Sequence, residues 1–158
     1  RPLLAVKQRP QAPYRRILAP VDFSDHAAAA IHAAHAWLPD ADIVLLHAFE
    51  VEWESTFQLA GIDDQQIHEY RIQARDAAQK AMEAFIGKLR VPARQLTRQF
   101  VHGAATLCIL EHEQTMDADL IVMGKHGQSV MEELLLGSVT QHVLTHSSSD
   151  VLIAGHTA

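Results

Sequence analysis

Leu120-Ile121-Val122-Met123-Gly124-Lys125-His126-Gly127 opens the stretch on which the fold turns. Nine residues follow, Gln128 to Leu136, and then Gly137-Ser138-Val139-Thr140. A continuous apolar run ahead of the glycines suits a strand covered on both faces, as in a parallel sheet. Glycines directly after such a strand let backbone N–H groups come close to a ligand. Gly137-Ser138 then opens a helix running to about His146, and Ser138 followed by Gln141 three residues later is a capping-box pattern. A helix N-terminus of this kind attracts phosphate through its unbonded donors and its dipole. Two glycine clusters after one strand can hold a polyphosphate.

Outward from this stretch the same alternation repeats. Apolar runs of strand length occur at Arg16 to Val21, Asp42 to Phe49, Ala118 to Met123 and Val151 to Ala154, with a weaker, alternating run from Leu96 to Val101. Helical patterns lie between them. Ser24-Asp25 caps a helix reaching about Leu38, where Pro39-Asp40 stops it, with Ile31, Ala34 and Leu38 as its stripe. A long amphipathic stretch from about Asp63 to Leu89 places Ala74, Ala77, Ala78, Ala81, Phe85 and Leu89 on one side. Thr106 to Met116 forms a third helix, with Leu107, Ile109 and Leu110 inward. The pattern predicts an α/β fold: a doubly wound, three-layer, parallel sheet with right-handed crossovers. Ligands of such sheets bind beyond the carboxyl ends of the strands, where the strand order reverses. Glu50 to Ile62 reads as a long loop, with Glu50, Glu52 and Glu54 alternating with Val51 and Trp53. It is either a solvated acidic loop or a lid.

Composition narrows the function classes. The chain has 158 residues, 48% hydrophobic and 20% charged, with net charge −6. That length fits one domain. No basic stripe is present, which excludes nucleic acid and anionic membrane as partners. The longest apolar runs, such as Ile43-Val44-Leu45-Leu46, are far short of the ~18 residues a membrane span needs. A single cysteine, Cys108, forbids an intrachain disulfide and fits a cytoplasmic location, where it is expected as a buried, inert thiol. Eleven histidines include His32 and His35 at i, i+3, with His26 nearby, but a zinc site needs three or four ligands. No metal site is expected.

The full spacing Gly-x2-Gly-x9-Gly-Ser, in its strand–loop–helix setting, resembles the nucleotide-binding signature of the universal stress protein family, in its ATP-binding branch. Other stretches carry the same resemblance. Ile17-Leu18-Ala19-Pro20-Val21-Asp22-Phe23-Ser24 is similar to the family's first strand and its Pro-x-Asp-x-Ser turn. Leu45-Leu46-His47-Ala48 is similar to its second strand, and Val101-His102-Gly103 to the glycine before its third helix. Leu135 to Thr140 and Asp150-Val151-Leu152-Ile153 match its signature and closing strand. The resemblance implies a five-stranded parallel sheet in the order 3-2-1-4-5, Rossmann-like, and a dimer. It implies ATP as ligand, with or without Mg or Mn. Asp22 would hydrogen-bond the adenine, the main chain at Ala48 would read its edge, and Pro20 would shape the turn. Met123 and Gly124 through Gly127, His126 included, would lie along the ribose and phosphates. Gly127, Gly137, Ser138, Val139 and Thr140 would hold the phosphate chain. Simpler roles stay open: Asp22 as a cap of the first helix or its turn, Ser138 as a helix cap, Lys125 and His126 as solvated loop residues.

Pro2-Leu3-Leu4-Ala5-Val6-Lys7 also resembles the family's closing strand, and Gln8 to Tyr14, with Pro10 and Pro13, reads as a linker. Residues 1–14 are therefore expected to be the end of a preceding copy and its linker, and 15–158 the domain proper. Val151 to Ala154 is expected at the sheet edge, where it would join a homodimer or a tandem pseudo-dimer. The function expected is adenine-nucleotide binding in a stress-response regulatory domain. The alternatives are a slow ATPase or nucleotide-transferring enzyme, and a dimerisation module without ligand. A P-loop, Gly-x4-Gly-Lys-Ser/Thr, is missing, and so are the His-x-Gly-His and Ser-Gly-Gly-x-Asp-Ser signatures of related transferring and pyrophosphatase folds. ATP hydrolysis is expected to be absent or slow, with Glu132 and Glu133 as the only carboxylates between the glycine clusters.

Overall fold

The computed structural model describes residues 2–9, 12–125 and 136–155. In chain order the elements are β1 (Leu3–Ala5), β2 (Arg16–Pro20), α1 (Asp25–Trp37), β3 (Asp42–Phe49), α2 (Glu54–Leu59), α3 (Asp64–Lys88), a 3₁₀ turn (Ala93–Gln95), β4 (Leu96–His102), α4 (Ala105–Thr115), β5 (Leu120–Gly124), α5 (Ser138–His146) and β6 (Asp150–Ala154). They form one six-stranded sheet in the order β1-β6-β5-β2-β3-β4. Strands β2 to β6 are mutually parallel, in the doubly wound order expected. The expected count of five strands is corrected by β1, which adds a sixth, antiparallel strand.

The continuous apolar runs follow from burial on both faces. Ile17, Leu18 and Ala19 are all fully buried, yet they belong alternately to two cores. Ile17, Ala19, Ile43, Leu45, Leu120 and Val122 pack with Ile31, Met82 and Phe85 of α1 and α3. Leu18, Leu46, Ile121, Met123, Val151 and Ile153 pack with Ile109 and Val143 of α4 and α5. The two faces are thus read off a strand two residues at a time. Strand β4 lies at the far edge and is the polar exception: Thr97, Arg98 and Gln99 are exposed, as suits an edge that must not pair further.

Helix α1 begins where expected. The Ser24 hydroxyl accepts from the Ala27 amide at 3.2 Å, and Ala27, Ala30, Ile31 and Ala34 are its buried stripe. Helix α3 is anchored by Ile67, Ala78, Met82 and Phe85, whereas Ala77, expected inward, is exposed. In α4 the phase also differs from expectation. Ile109 is buried as expected, but Leu107 is 60% exposed and Leu110 only half-buried, while Cys108 and Glu113 are buried beside Ile109. The buried Glu113 carboxylate is satisfied there: its Oε1 accepts the Ser148 and Ser149 amides at 2.7 and 2.5 Å.

Strand β1 lies antiparallel on β6, Leu3 opposite Ile153 and Ala5 opposite Val151. Val151 to Ala154 ends the parallel order as expected, and the Leu3–Ala5 strand lies beside that edge within this same chain. The knot of the attachment is Asp150, 4% exposed. Its Oδ1 accepts the Lys7 and Gln8 amides at 2.6 and 3.0 Å, and its Oδ2 accepts the Tyr14 hydroxyl. The Lys7 ammonium donates to the carbonyl and hydroxyl of Ser147, both at 2.8 Å.

Burial alone would raise the Asp150 pKa, but the Tyr14 hydroxyl and the two amides outweigh it and hold the carboxyl below its ordinary value. Burial, then the bond to Asp150, pushes the Tyr14 phenol up to about 12. A depressed carboxyl contributes stability above its unfolded value and loses it as pH falls through the folded one. A raised phenol contributes below its ordinary 10.0 and loses it as pH rises toward 12. Tyr14→Phe should therefore remove an alkaline loss of stability that the parent chain shows over that window. Thermal melts from neutral pH upward check it; parallel pH profiles for the two proteins would exclude Tyr14 from the knot.

Candidate functional site

Strand order reverses at β2, whose neighbours are β3 on one side and β5 on the other. Beyond the carboxyl ends of these three strands lies a cavity of about 300 Å³. Pro20, Val21 and Asp22 enter it from the end of β2, Leu46, His47 and Ala48 from β3, Met123 and Gly124 from β5, and Gly137, Ser138, Val139 and Thr140 from the start of α5. Ala27 of α1 and Ala105 and Ile109 of α4 complete the wall. Nine of the residues singled out in the sequence thus border one space: Pro20, Asp22, Ala48, Met123, Gly124, Gly137, Ser138, Val139 and Thr140. The other two, His126 and Gly127, lie outside the described residues, as do Glu132 and Glu133. The neighbours that sequence reasoning did not assign to the site are Val21, Ala27, Leu46, His47, Ala105 and Ile109. Most are aliphatic and had no signal apart from core membership.

The walls differ in chemistry. Val21, Leu46, Ala48, Ile109, Met123 and Val139 give an apolar floor, suited to a flat ring. The amides of Ser138, Val139 and Thr140 form the first turn of α5 and have no intrahelical acceptor, so that end of the cavity is electropositive. The Thr140 hydroxyl donates to the Gly124 carbonyl at 3.0 Å and ties α5 to β5. The cap differs from the expected one. Gly137 is the N-cap, with φ −61° and ψ 152°, and Ser138 is the first helical residue. Gln141 Nε2 donates to the Leu136 carbonyl at 3.0 Å instead of closing a capping box. The Gly137 amide itself is bonded to the Lys125 carbonyl at 3.0 Å, so Gly137 bounds the cavity as bare backbone.

Gly124 is needed for packing. A Cβ there would meet the His26 carbonyl carbon at 2.9 Å and the Ala27 nitrogen at 3.0 Å, because the start of α1 presses on the end of β5. Asp22 sits in the turn between β2 and α1. Its Oδ1 accepts from the Ser24 amide at 3.1 Å and from the Ser24 hydroxyl at 2.6 Å. The turn-capping role expected as an alternative is therefore present, and it orients the carboxylate that borders the cavity. The turn itself is strained: Phe23 has φ 66°, a left-handed conformation costing a bulky residue about 1–2 kcal/mol. The Phe23 ring offsets that cost by packing on His47 in a tilted contact, centroids 4.3 Å apart, and meeting Phe85 edge-on at 5.9 Å. His47 Nδ1 lies 2.8 Å from the Val21 carbonyl oxygen.

Glu50 to Ile62 does not border this cavity. It contains α2, and Glu54 is held by Arg71 and by His102 Nε2 at 2.7 Å, so the segment is latched to α3 and the end of β4. The Arg71 guanidinium, more than His102, keeps the Glu54 carboxyl below its ordinary pKa. The Cys108 thiol is buried, which pushes its pKa up, with Glu111 and Glu50 adding to the effect. Among the described residues no group of three or more His, Cys, Asp or Glu could hold a metal ion, and no helix is long and apolar enough to cross a membrane.

Comparison with known proteins adds the lineage. Universal stress protein MJ0577 of Methanocaldococcus jannaschii is 29% identical over 152 residues, spanning 89% of this chain and 94% of that protein. Universal stress protein YxiE of Bacillus subtilis is 30% identical over 145 residues, spanning 89% and 98%. The solved structure of MJ0577 superposes with a TM-score of 0.75 at 26% identity, covering 93% of this chain and 99% of that one. A universal stress protein solved in complex with cAMP shares the fold at TM-score 0.53 and 22% identity, over 91% of this chain and 98% of that one. The model of the universal stress protein family matches residues 13–155, and the chain belongs to that family.

Proposed function

We propose that this domain binds ATP and acts as a regulatory stress-response module rather than as a fast enzyme. The observation that carries this is the convergence of the Pro20–Asp22 turn, Ala48, the end of β5 and the start of α5 on one cavity with an apolar floor and an electropositive end. The adenine lies on the floor, its amino group donating to Asp22 and its edge meeting the main chain at Ala48. Met123 and Gly124 border the ribose; His126 and Gly127 are assigned to the phosphates by family resemblance alone. The phosphate chain meets the amides of Ser138, Val139 and Thr140. A relative in complex with cAMP supports an adenine nucleotide as the ligand class. With no acidic cage among the described residues, Mg or Mn would arrive as the counter-ion of the phosphates. The β1–β6 ladder supports the reading of residues 1–14 as the end of a preceding copy: β1 then stands where a second copy's strand would complete a dimer. The single buried thiol is in keeping with the cytoplasm.

Calorimetry with ATP and GTP tests the reading. Asp22→Ala should weaken ATP by roughly 1–3 kcal/mol, the scale for a hydrogen bond to a charged group. GTP should bind the parent chain less well, since guanine presents a carbonyl where adenine presents an amino group and a carboxylate can only accept. Equal affinity for the two purines would remove Asp22 from base recognition.

Hydrolysis should be slow, well below the roughly 1–10³ s⁻¹ of typical enzymes. Fast phosphoryl transfer needs a group that orients water and cations that stabilise the transition state. The α5 end of the cavity offers neutral amides and the Ser138 and Thr140 hydroxyls, and no lysine or arginine is among the described residues that line the cavity. Steady-state phosphate release with Mg or Mn checks this. A rate above ~1 s⁻¹ that disappears with the site would make the domain a true enzyme and overturn the regulatory reading.

A further inference from the structure

The end of β2 is finished by a side chain. The Val21 amide donates to the Leu46 carbonyl at 2.9 Å, continuing the parallel ladder, and the Val21 carbonyl is 2.8 Å from His47 Nδ1. A carbonyl oxygen can only accept, so the imidazole proton sits on Nδ1, whichever charge state the ring is in. Strand alternation puts His47 on the face of Ile43 and Leu45, which pack against α1 and α3, while Val44 and Leu46 face α4. The ring therefore braces the turn at the rim of the cavity, which His47 also lines. It also carries Phe23, whose left-handed φ of 66° reverses the chain between Asp22 and the Ser24 cap. Phe85 of α3 closes the cluster.

We propose that His47 is a positioning residue: its Nδ1–H and its ring face together hold the Val21-Asp22-Phe23 turn, and so set where the Asp22 carboxylate stands relative to the base. This rests on the nucleotide reading of the cavity. It assigns adenine selectivity to a residue that borders the cavity beside Asp22 and acts through that carboxylate. A side chain that only filled space there would leave selectivity unchanged.

The experiment compares the parent chain with His47→Asn, which keeps an N–H near the Nδ1 position, and His47→Leu, which keeps bulk without a donor. ATP and GTP affinities are measured by calorimetry on protein whose circular dichroism matches the parent. The expected result is a loss of roughly tenfold or more in ATP affinity for His47→Leu, about 1.4 kcal/mol per factor of ten, with a falling ATP-to-GTP ratio. His47→Asn should keep the ratio to within about threefold of the parent, because it retains the donor to the Val21 carbonyl. An unchanged ratio in His47→Leu, or equal losses in both variants, overturns the proposal. If neither variant folds, the tautomer decides: imidazole ¹H–¹⁵N correlations of the parent chain must show the proton on Nδ1, and an Nε2-protonated ring overturns the brace. A parent chain that binds no ATP would sink the nucleotide reading and this inference with it. A parent that binds ATP, with variants that behave alike, would sink this inference only.

Discussion

Gly137→Val is expected to abolish ATP binding, a loss of more than ~100-fold or about 3 kcal/mol, in a protein that still folds. The backbone permits the change: φ −61° and ψ 152° at Gly137 are ordinary for any L-residue, so the substitution does not strain the N-cap. What changes is space. Gly137 borders the cavity as bare backbone, between Lys125, whose carbonyl it binds, and the first turn of α5. Three added carbon atoms take volume from a space of about 300 Å³ at the end where the phosphates are placed. The steric effect is therefore on the ligand path and not on φ. Calorimetry, alongside a circular dichroism spectrum that matches the parent, checks it. An unchanged affinity would remove Gly137 from the site.

Removing residues 2–9 is expected to turn the chain into a self-associating one. Without β1, the outer edge of β6 presents the unpaired backbone of Val151, Leu152 and Ile153, an apolar strand of the kind that templates pairing. The natural completion is an antiparallel pairing with the same edge of a second copy. Asp150→Ala should act in the same direction while leaving the segment in place. It withdraws the acceptor from the Lys7 and Gln8 amides and the Tyr14 hydroxyl. Each such loss is worth about 1–3 kcal/mol in a closed interior. The segment can instead swing into water, so the total is capped by its own docking energy. Sedimentation velocity over a concentration series reads the outcome. A truncated chain that stays monomeric at concentrations where edge pairing should occur would show that β1 does not guard this edge.

Much of this architecture is legible in the sequence because its signals are local. Leu120 to Met123 followed by Gly124 announces a buried strand and a close approach, and Ser24 announces the start of α1. The approach at Gly124 is that of α1, because a glycine states that something comes near and not what it is. The features that are not legible depend on partners distant in sequence. Helix α2 has almost no apolar stripe of its own and is held by Glu54 reaching Arg71 and His102. In α4 the buried Glu113 binds amides 35 and 36 residues away, which no local pattern announces. The left-handed turn at Phe23 is hidden for another reason. That conformation is ordinarily announced by glycine or asparagine, and here it is held by aromatic packing against His47 and Phe85. Among the site residues, those in the turn and at the helix start are visible from chemistry. The aliphatic floor is indistinguishable from core.

The β1–β6 ladder also decides how the molecule would carry tension. Leu3 lies opposite Ile153 and Ala5 opposite Val151, so the two flanking chain directions leave from the same end of one antiparallel pair. A pull between them acts across the rungs, which give way in succession from Leu3 inward, as a zip opens. Parallel strands sheared along their length would resist together. The unzipping runs toward Lys7 and Gln8, where the Asp150 carboxylate gathers two amides and the Tyr14 hydroxyl on one side chain. A tether at this corner therefore yields softly at first and then catches at Asp150, while the cavity at the other flank of β5 stays unloaded.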